Sequence, residues 1–143
     1  MNLKTKVIIK YDDRVSLKEL KTFFSALSVK INHLFCWGKK NKKLESNSLK
    51  HCLFATARVN KKLIGFVRVI TDRAYEFYLS EVVVLPQYRG HNVGSKMIRV
   101  VIKEAKKEGF IQIFLTADKG LESYYNKFGF KKATYTVMKI KGG

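Results

Sequence analysis

An apolar strand, a glycine-containing turn and a helix start succeed one another along Val82-Val83-Val84-Leu85-Pro86-Gln87-Tyr88-Arg89-Gly90-His91-Asn92-Val93-Gly94-Ser95, and that order builds a site for an anion. Backbone N–H groups in such a turn and in the first helical turn have no intrachain acceptor, and the helix dipole favours negative charge beside them. A phosphate-bearing ligand is the chemistry this predicts, although the same arrangement also serves as an ordinary connector. Glu76 and Glu81 lie on the strand that runs into the turn. Their opposite parity would point them to opposite faces of a regular strand, a relation that a bulge between them would change.

The elements that must position these residues are readable from spacing. Lys6 to Tyr11 reads as an edge strand. Ser16, three residues before Glu19, forms a capping box, and Leu17, Leu20, Phe23, Phe24 and Leu27 follow at helical spacing. A second helical region is expected over Ile31 to Trp37, then a polar loop from Gly38 to Ser48. Strands Leu53 to Val59 and Leu63 to Thr71 join through Asn60-Lys61-Lys62, and a turn at Asp72-Arg73 leads into the long strand Tyr75 to Val84. Val93 to Lys107 is the clearest helix, with Val93, Met97, Val100, Val101 and Ala105 on one stripe and Gly109 as its stop. Ile111 to Leu115 is wholly apolar and is expected to be a strand buried on both faces. Leu121 to Phe128 forms a short helix closed by Gly129, and Phe130 to Ile140 a last strand or hairpin. The whole is an α/β fold with helices on both faces of the sheet.

A chain of 143 residues is one domain, spanning 1–143, with a single core that buries roughly two-thirds of the unfolded surface. The longest apolar stretch, Leu63 to Ile70, is interrupted by Gly65 and Arg68 and falls far short of the ~20 residues a membrane span needs. No apolar run follows Met1, so the chain is expected to be soluble and cytoplasmic, with no membrane partner. Cys36 and Cys52 are too few for a disulfide framework or a metal knuckle, no metal is expected, and His33 and His51 have no partners visible in sequence. Twenty-nine Lys and Arg against eleven Asp and Glu give a net charge of +18, which draws polyanions. The lysines are scattered over every segment, however, with no nucleic-acid recognition motif, and a lysine-rich solvated surface accounts for the charge more simply.

Two stretches carry a family resemblance. Val84-Leu85-Pro86-Gln87-Tyr88-Arg89-Gly90-His91-Asn92-Val93-Gly94 resembles motif A of the GCN5-related N-acetyltransferases, Gln/Arg-x-x-Gly-x-Gly/Ala. Tyr124-Tyr125-Asn126-Lys127-Phe128-Gly129-Phe130 is similar to their second signature, aromatic-Tyr-x-x-x-Gly-Phe. With Leu63-Ile64-Gly65-Phe66 upstream, the likeness covers roughly Leu53 to Met138. It implies a mixed, mostly antiparallel central sheet, splayed at the strand before motif A, in the acyl-CoA N-acyltransferase fold. It also implies that acetyl-CoA lies in the splay, on the backbone of Val82, Val83 and Val84, with its pyrophosphate in the turn Arg89, Gly90, His91, Asn92, Val93, Gly94 and Ser95. Asn92 replaces the usual middle glycine, and Asn tolerates left-handed angles better than most residues. Asp118 stands where many relatives carry an Asn that touches the coenzyme.

Acetyl transfer to an amine needs two proton movements. By resemblance, Tyr125 is the general acid for the departing sulfur and also part of the coenzyme site, and Glu81 is the first choice of base. Glu76 or a water chain remains open for that role. The implied activity is N-acetylation of a primary amine by direct attack in a ternary complex, with a small-molecule acceptor the first expectation and a protein acceptor left open. Phe23, Phe24, Phe35 and Trp37 serve either an apolar acceptor slot or the core, and the positive charge suits a phosphorylated amino sugar or an acidic peptide. A homodimer is compatible with the resemblance, since many relatives dimerise. A non-catalytic module that binds coenzyme A or nucleic acid is the alternative from another class.

Overall fold

The computed structural model describes residues 5–27 and 42–140. In chain order the elements are β1 (Ile8–Lys10), α1 (Leu17–Ala26), α2 (Lys42–His51), β2 (Cys52–Val59), β3 (Lys62–Thr71), β4 (Glu76–Val84), a 3₁₀ turn (Pro86–Tyr88), α3 (Val93–Glu108), β5 (Gln112–Phe114) and α4 (Glu122–Asn126). The strands form one sheet in the order β1-β2-β3-β4-β5. Neighbours from β1 to β4 are antiparallel, and β5 is parallel to β4. This is the mixed, mostly antiparallel sheet that the family resemblance implies. α3 covers one face, where Met97 meets Gly65; α1 covers the other, where Phe23 and Phe24 pack edge-on against Phe66.

Local chemistry accounts for the boundaries. Glu19 N–H donates to Ser16 Oγ at 3.1 Å, and Ser16 N–H to Glu19 Oε2 at 3.0 Å, so the capping box starts α1 as expected. Asn60 and Lys61 both adopt left-handed angles, φ 48° and 66°, as a two-residue hairpin turn of the primed type requires. Gly109, at φ 75°, stops α3. Among the described residues, no helix is long and apolar enough to cross a membrane.

Three expectations change. Residues 42–48 of the polar loop belong to α2, a polar helix whose residue Leu49 packs against the core and whose Ser48 reaches Arg68, so tertiary contacts decide what composition concealed. β5 is only partly buried, because it is the last strand of the sheet rather than an interior one. Residues 131–140 form no strand or helix and are exposed: their β-propensity finds no pleated neighbour to fit. The helical region expected over residues 31–37 lies outside the described residues, as do Phe35 and Trp37. Phe23 is part of the buried core, and Phe24 packs beside it, partly buried, on the face of the sheet that carries Phe66.

Gly65 lets α3 approach the sheet. A Cβ there would lie 3.0 Å from the carbonyl oxygen of Val83 and 3.1 Å from the Met97 methyl. Gly65→Ala is expected to destabilise the protein by about 1–3 kcal/mol, read as a lower urea midpoint. An unchanged midpoint would mean that Met97 and the β3–β4 pair yield at no cost.

Candidate active site

The sequence places an extra residue in β4. Arg68 pairs with Glu81 and Val69 with Leu79, so Ser80 has no partner of its own on β3. A bulge of this kind reverses side-chain parity. Phe77 and Leu79 share the α3 face with Val69, and Val82 and Val84 follow on that face. Tyr78, Glu81 and Val83 lie on the α1 face with Arg68 and Phe66. Glu76 and Glu81 therefore share a face, contrary to a regular strand.

The other edge of β4 opens at the same place. β5 pairs with β4 only through Glu76–Gln112, Phe77–Ile113 and Tyr78–Phe114. Beyond Tyr78, the strand continues to Val84 with no strand partner on that edge among the described residues. Leu85 N–H donates to the Ile64 carbonyl at 2.9 Å. By antiparallel alternation, Val83 also bonds to β3, while the N–H and C=O groups of Val82 and Val84 point to the open edge. The Val84 carbonyl is met there by Arg89 Nε at 3.0 Å.

The turn that follows carries the residues of the candidate anion site. Gly90 adopts φ 78°, and Asn92, in the left-handed region at φ 61°, sits at the N-terminus of α3 with no side-chain cap on the helix. The asparagine therefore takes the conformation its sequence position demanded. A Cβ on Gly90 would meet nothing within 4 Å, so the space beside it is open. His91 is exposed. Ser95 is buried and its Oγ lies 3.3 Å from Tyr124 Oη; a Cβ on Gly94 would lie 3.3 Å from the same hydroxyl and 3.7 Å from a Val84 methyl. Tyr124, unassigned by the sequence, thus links α4 to the start of α3 and the end of β4. These features fit a coenzyme with a backbone-binding arm and a pyrophosphate.

Tyr125 stands beside Tyr124 in α4, half-buried, with its ring edge-on to Phe130. Burial, then Tyr124 and Asp118, push its hydroxyl pKa up, so it stays protonated at neutral pH. Asp118 is exposed.

Glu81 is the most perturbed carboxyl among those shifted. Its side chain is 2% exposed and pairs with Arg68 at 2.9 Å, Nη2 to Oε1, while Oε2 is buried without a hydrogen-bond partner. Burial raises its pKa to about 7, against the opposing pull of the Arg68 charge. Arg68 was visible in sequence as a lone charge inside an apolar strand, a position that demands a buried partner. Glu76 is exposed and accepts from Gln112 Nε2 at 3.1 Å.

Comparison with known proteins identifies the family and the fold. The model of the acetyltransferase (GNAT) family matches residues 18–130. The chain belongs to the GNAT acetyltransferase family. A relative from Pyropia yezoensis, an uncharacterized N-acetyltransferase ycf52, is 29% identical over 62% of this chain and 51% of its own length. The chain thus spans about half the length of that curated relative. Among solved structures, a probable acetyltransferase of meticillin-resistant Staphylococcus aureus superposes with TM-score 0.74 at 23% identity, covering 96% of this chain and 100% of the other. The aminoglycoside N-acetyltransferase AAC(6')-Iy, in complex with CoA, gives TM-score 0.71 at 14% identity, covering 99% and 98%. Both show that this GNAT chain has the acyl-CoA N-acyltransferase fold.

Gly90 separates strain from charge in the turn. Gly90→Ala costs about 1 kcal/mol of left-handed strain and leaves coenzyme A binding within a few-fold. Gly90→Asp adds a carboxylate to the open space and is expected to abolish binding in calorimetry. Equal affinity of the two variants would refute the pyrophosphate placement.

Proposed function

We propose that the chain is an acetyl-CoA-dependent N-acetyltransferase that acetylates a primary amine of a small molecule by direct attack in a ternary complex. The observation that carries this reading is the unpaired edge of β4 from Leu79 to Val84, running directly into the turn at Gly90 and Asn92. The backbone of Val82 and Val84 would hold the pantetheine arm, and the turn from Arg89 to Ser95 the pyrophosphate. When bound, the thioester supplies an acyl group activated for attack.

The residues divide the proton work. Glu81 takes the proton of the acceptor ammonium, leaving the nitrogen lone pair free to attack the thioester carbonyl carbon. Tyr125 gives its proton to the sulfur as the carbon–sulfur bond breaks. A base poised near neutrality suits this task, and burial puts the Glu81 carboxyl there. Glu76, exposed on the face that also carries the Arg68–Glu81 pair, adds a negative charge that suits a cationic acceptor despite the net charge of +18. Family likeness supports an amine of this kind: AAC(6')-Iy has been solved with a bisubstrate analog that joins CoA to acetylneamine.

A second reading rests on one surface. Arg99, Lys103, Lys106 and Lys127 surround Phe128 in a shallow cavity between α3 and α4, the type of cationic and aromatic surface that binds single-stranded nucleic acid. Release of coenzyme A thiol with a member of an amine panel supports the enzyme. Salt-sensitive RNA binding with no thiol release from any amine would support the module instead.

Tyr125→Phe is expected to lower kcat about 100-fold and leave acetyl-CoA affinity nearly unchanged; a collapse of affinity would make Tyr125 structural. The base must be unprotonated to act, so kcat/KM should rise with pH through about 7. Glu81→Gln should remove that acid limb along with most of the rate. Survival of the limb in this variant would move the base elsewhere.

A further inference from the structure

We propose that Arg68 is a positioning residue for the acetyl transfer: it grips Oε1 of Glu81 and thereby fixes Oε2 as the atom that receives the proton of the acceptor amine. The inference rests on the reading of Glu81 as base and adds which oxygen acts and what aims it.

The geometry is asymmetric. Arg68 and Glu81 are directly opposed across β3 and β4, a pairing that exists only because of the extra residue at Ser80. The guanidinium is 2.9 Å from Oε1, while Oε2 has no hydrogen-bond partner although it is buried. A two-pronged Arg–carboxylate pair would occupy both oxygens. Here one remains an acceptor with no donor among the described residues, whereas most buried polar atoms in folded proteins have a partner, so Oε2 is the oxygen left for a ligand N–H. An entering ammonium supplies the missing donor. Its N–H bond breaks, an O–H bond forms at Oε2, and the electron pair stays on nitrogen for attack on the thioester carbon.

Arg68 is itself held from a second element and a second strand. Its Nη1 lies 3.2 Å from Ser48 Oγ on α2 and 3.7 Å from Cys52 Sγ on β2. These contacts anchor the guanidinium, so the carboxylate inherits a fixed orientation. The charge of Arg68 also opposes the effect of burial, which keeps Glu81 ionisable near neutral pH. Among the described residues, Arg68 is the charged group acting on Glu81 from β3, with Cys52 the titratable neighbour on β2. α1 presents Phe23 and Phe24 to this face of the sheet, while its Glu19 is turned to Arg58. Lys50 and His51, at the end of α2, are exposed, and on β4 itself Glu76 is held by Gln112 of β5.

The test is the pH profile of kcat/KM for wild type, Arg68→Gln, Arg68→Lys and Glu81→Gln. Loss of the cation removes the force that lowers the Glu81 pKa, so Arg68→Gln should shift the acid limb upward by about one pH unit or more. Activity should fall about tenfold at pH 7 and recover substantially at pH 9. Arg68→Lys keeps the charge but not the fork, and should leave the limb near its original position while lowering kcat. A uniform loss at every pH in Arg68→Gln, with the limb unmoved, would make Arg68 merely structural and overturn the proposal. If Arg68→Gln does not fold, Arg68→Lys decides: unchanged kcat overturns the proposal, and lowered kcat on an unmoved limb supports it. Glu81→Gln separates the two levels. Persistence of the limb there refutes the base assignment itself, whereas its loss alongside an unmoved limb in Arg68→Gln refutes only the role of Arg68.

Discussion

A single extra residue in β4 sets the architecture of the candidate site. With strict alternation, Glu81 would follow Phe77 and Leu79 onto the α3 face, among Val67, Val69 and the buried stripe of α3. A carboxylate there would be desolvated with no cation beside it, an arrangement whose cost few small domains can carry. The bulge at Ser80 instead turns Glu81 to the face that carries Arg68. It returns Val82 and Val84 to the α3 side, so the core continues past the carboxylate without interruption. One irregularity thus reconciles a buried acid with an apolar sheet.

The same stretch of β4 also loses its second neighbour. A strand edge within a sheet is an unsatisfied hydrogen-bond ladder, and proteins normally cover or pair it. Here the β5 pairing ends at Tyr78 and Phe114, while β4 runs on to Val84. The open edge then meets a turn in which Gly90 and Asn92 both adopt left-handed angles. Between the edge and the turn, the N–H groups of Leu85, Tyr88 and Arg89 are used within the chain, so the proposed ligand would be held by two separate sets of backbone groups, an amide-bearing arm on the edge and an anionic end at the turn. Arg89 ties the two parts together through the Val84 carbonyl.

Much of this was legible in residue order. Ser16 and Glu19 announced the start of α1, Gly109 the end of α3, and the β-branched run before Pro86 the strand that meets the turn. These signals are local, and local geometry alone satisfies them. What escaped depended on contacts between distant segments. The parity of Glu76 and Glu81 hinged on a bulge that no single residue encodes, because Ser80 is unremarkable by propensity. α2 is too polar to advertise itself, and its Ser48 matters only because Arg68 lies across from it. Residues 131–140 carry strand-forming composition, but composition does not supply a partner edge. Arg68 is the instructive middle case: its position in an apolar run signalled a buried partner, yet the identity of that partner required the register.

The distribution of burial gives the site its mechanical setting. Among the described residues, the buried core is drawn from α1, β2, β3, β4 and α3, and no residue beyond Ala105 is fully buried. β5, α4 and the segment after it therefore lean on the core through partly covered side chains such as Ile113, Tyr124, Tyr125 and Phe128. Glu81 and the valines belong to the rigid part, while Tyr124 and Tyr125 belong to the lightly packed part. Elements with little buried apolar contact open at low free-energy cost, and binding groups are commonly drawn from them. A ligand seated along the edge of β4, as proposed, would touch both parts at once, and its binding energy would go into holding α4 against the core. Tyr125, the proposed proton donor, would then be drawn toward Glu81, the proposed base, whose place the sheet fixes.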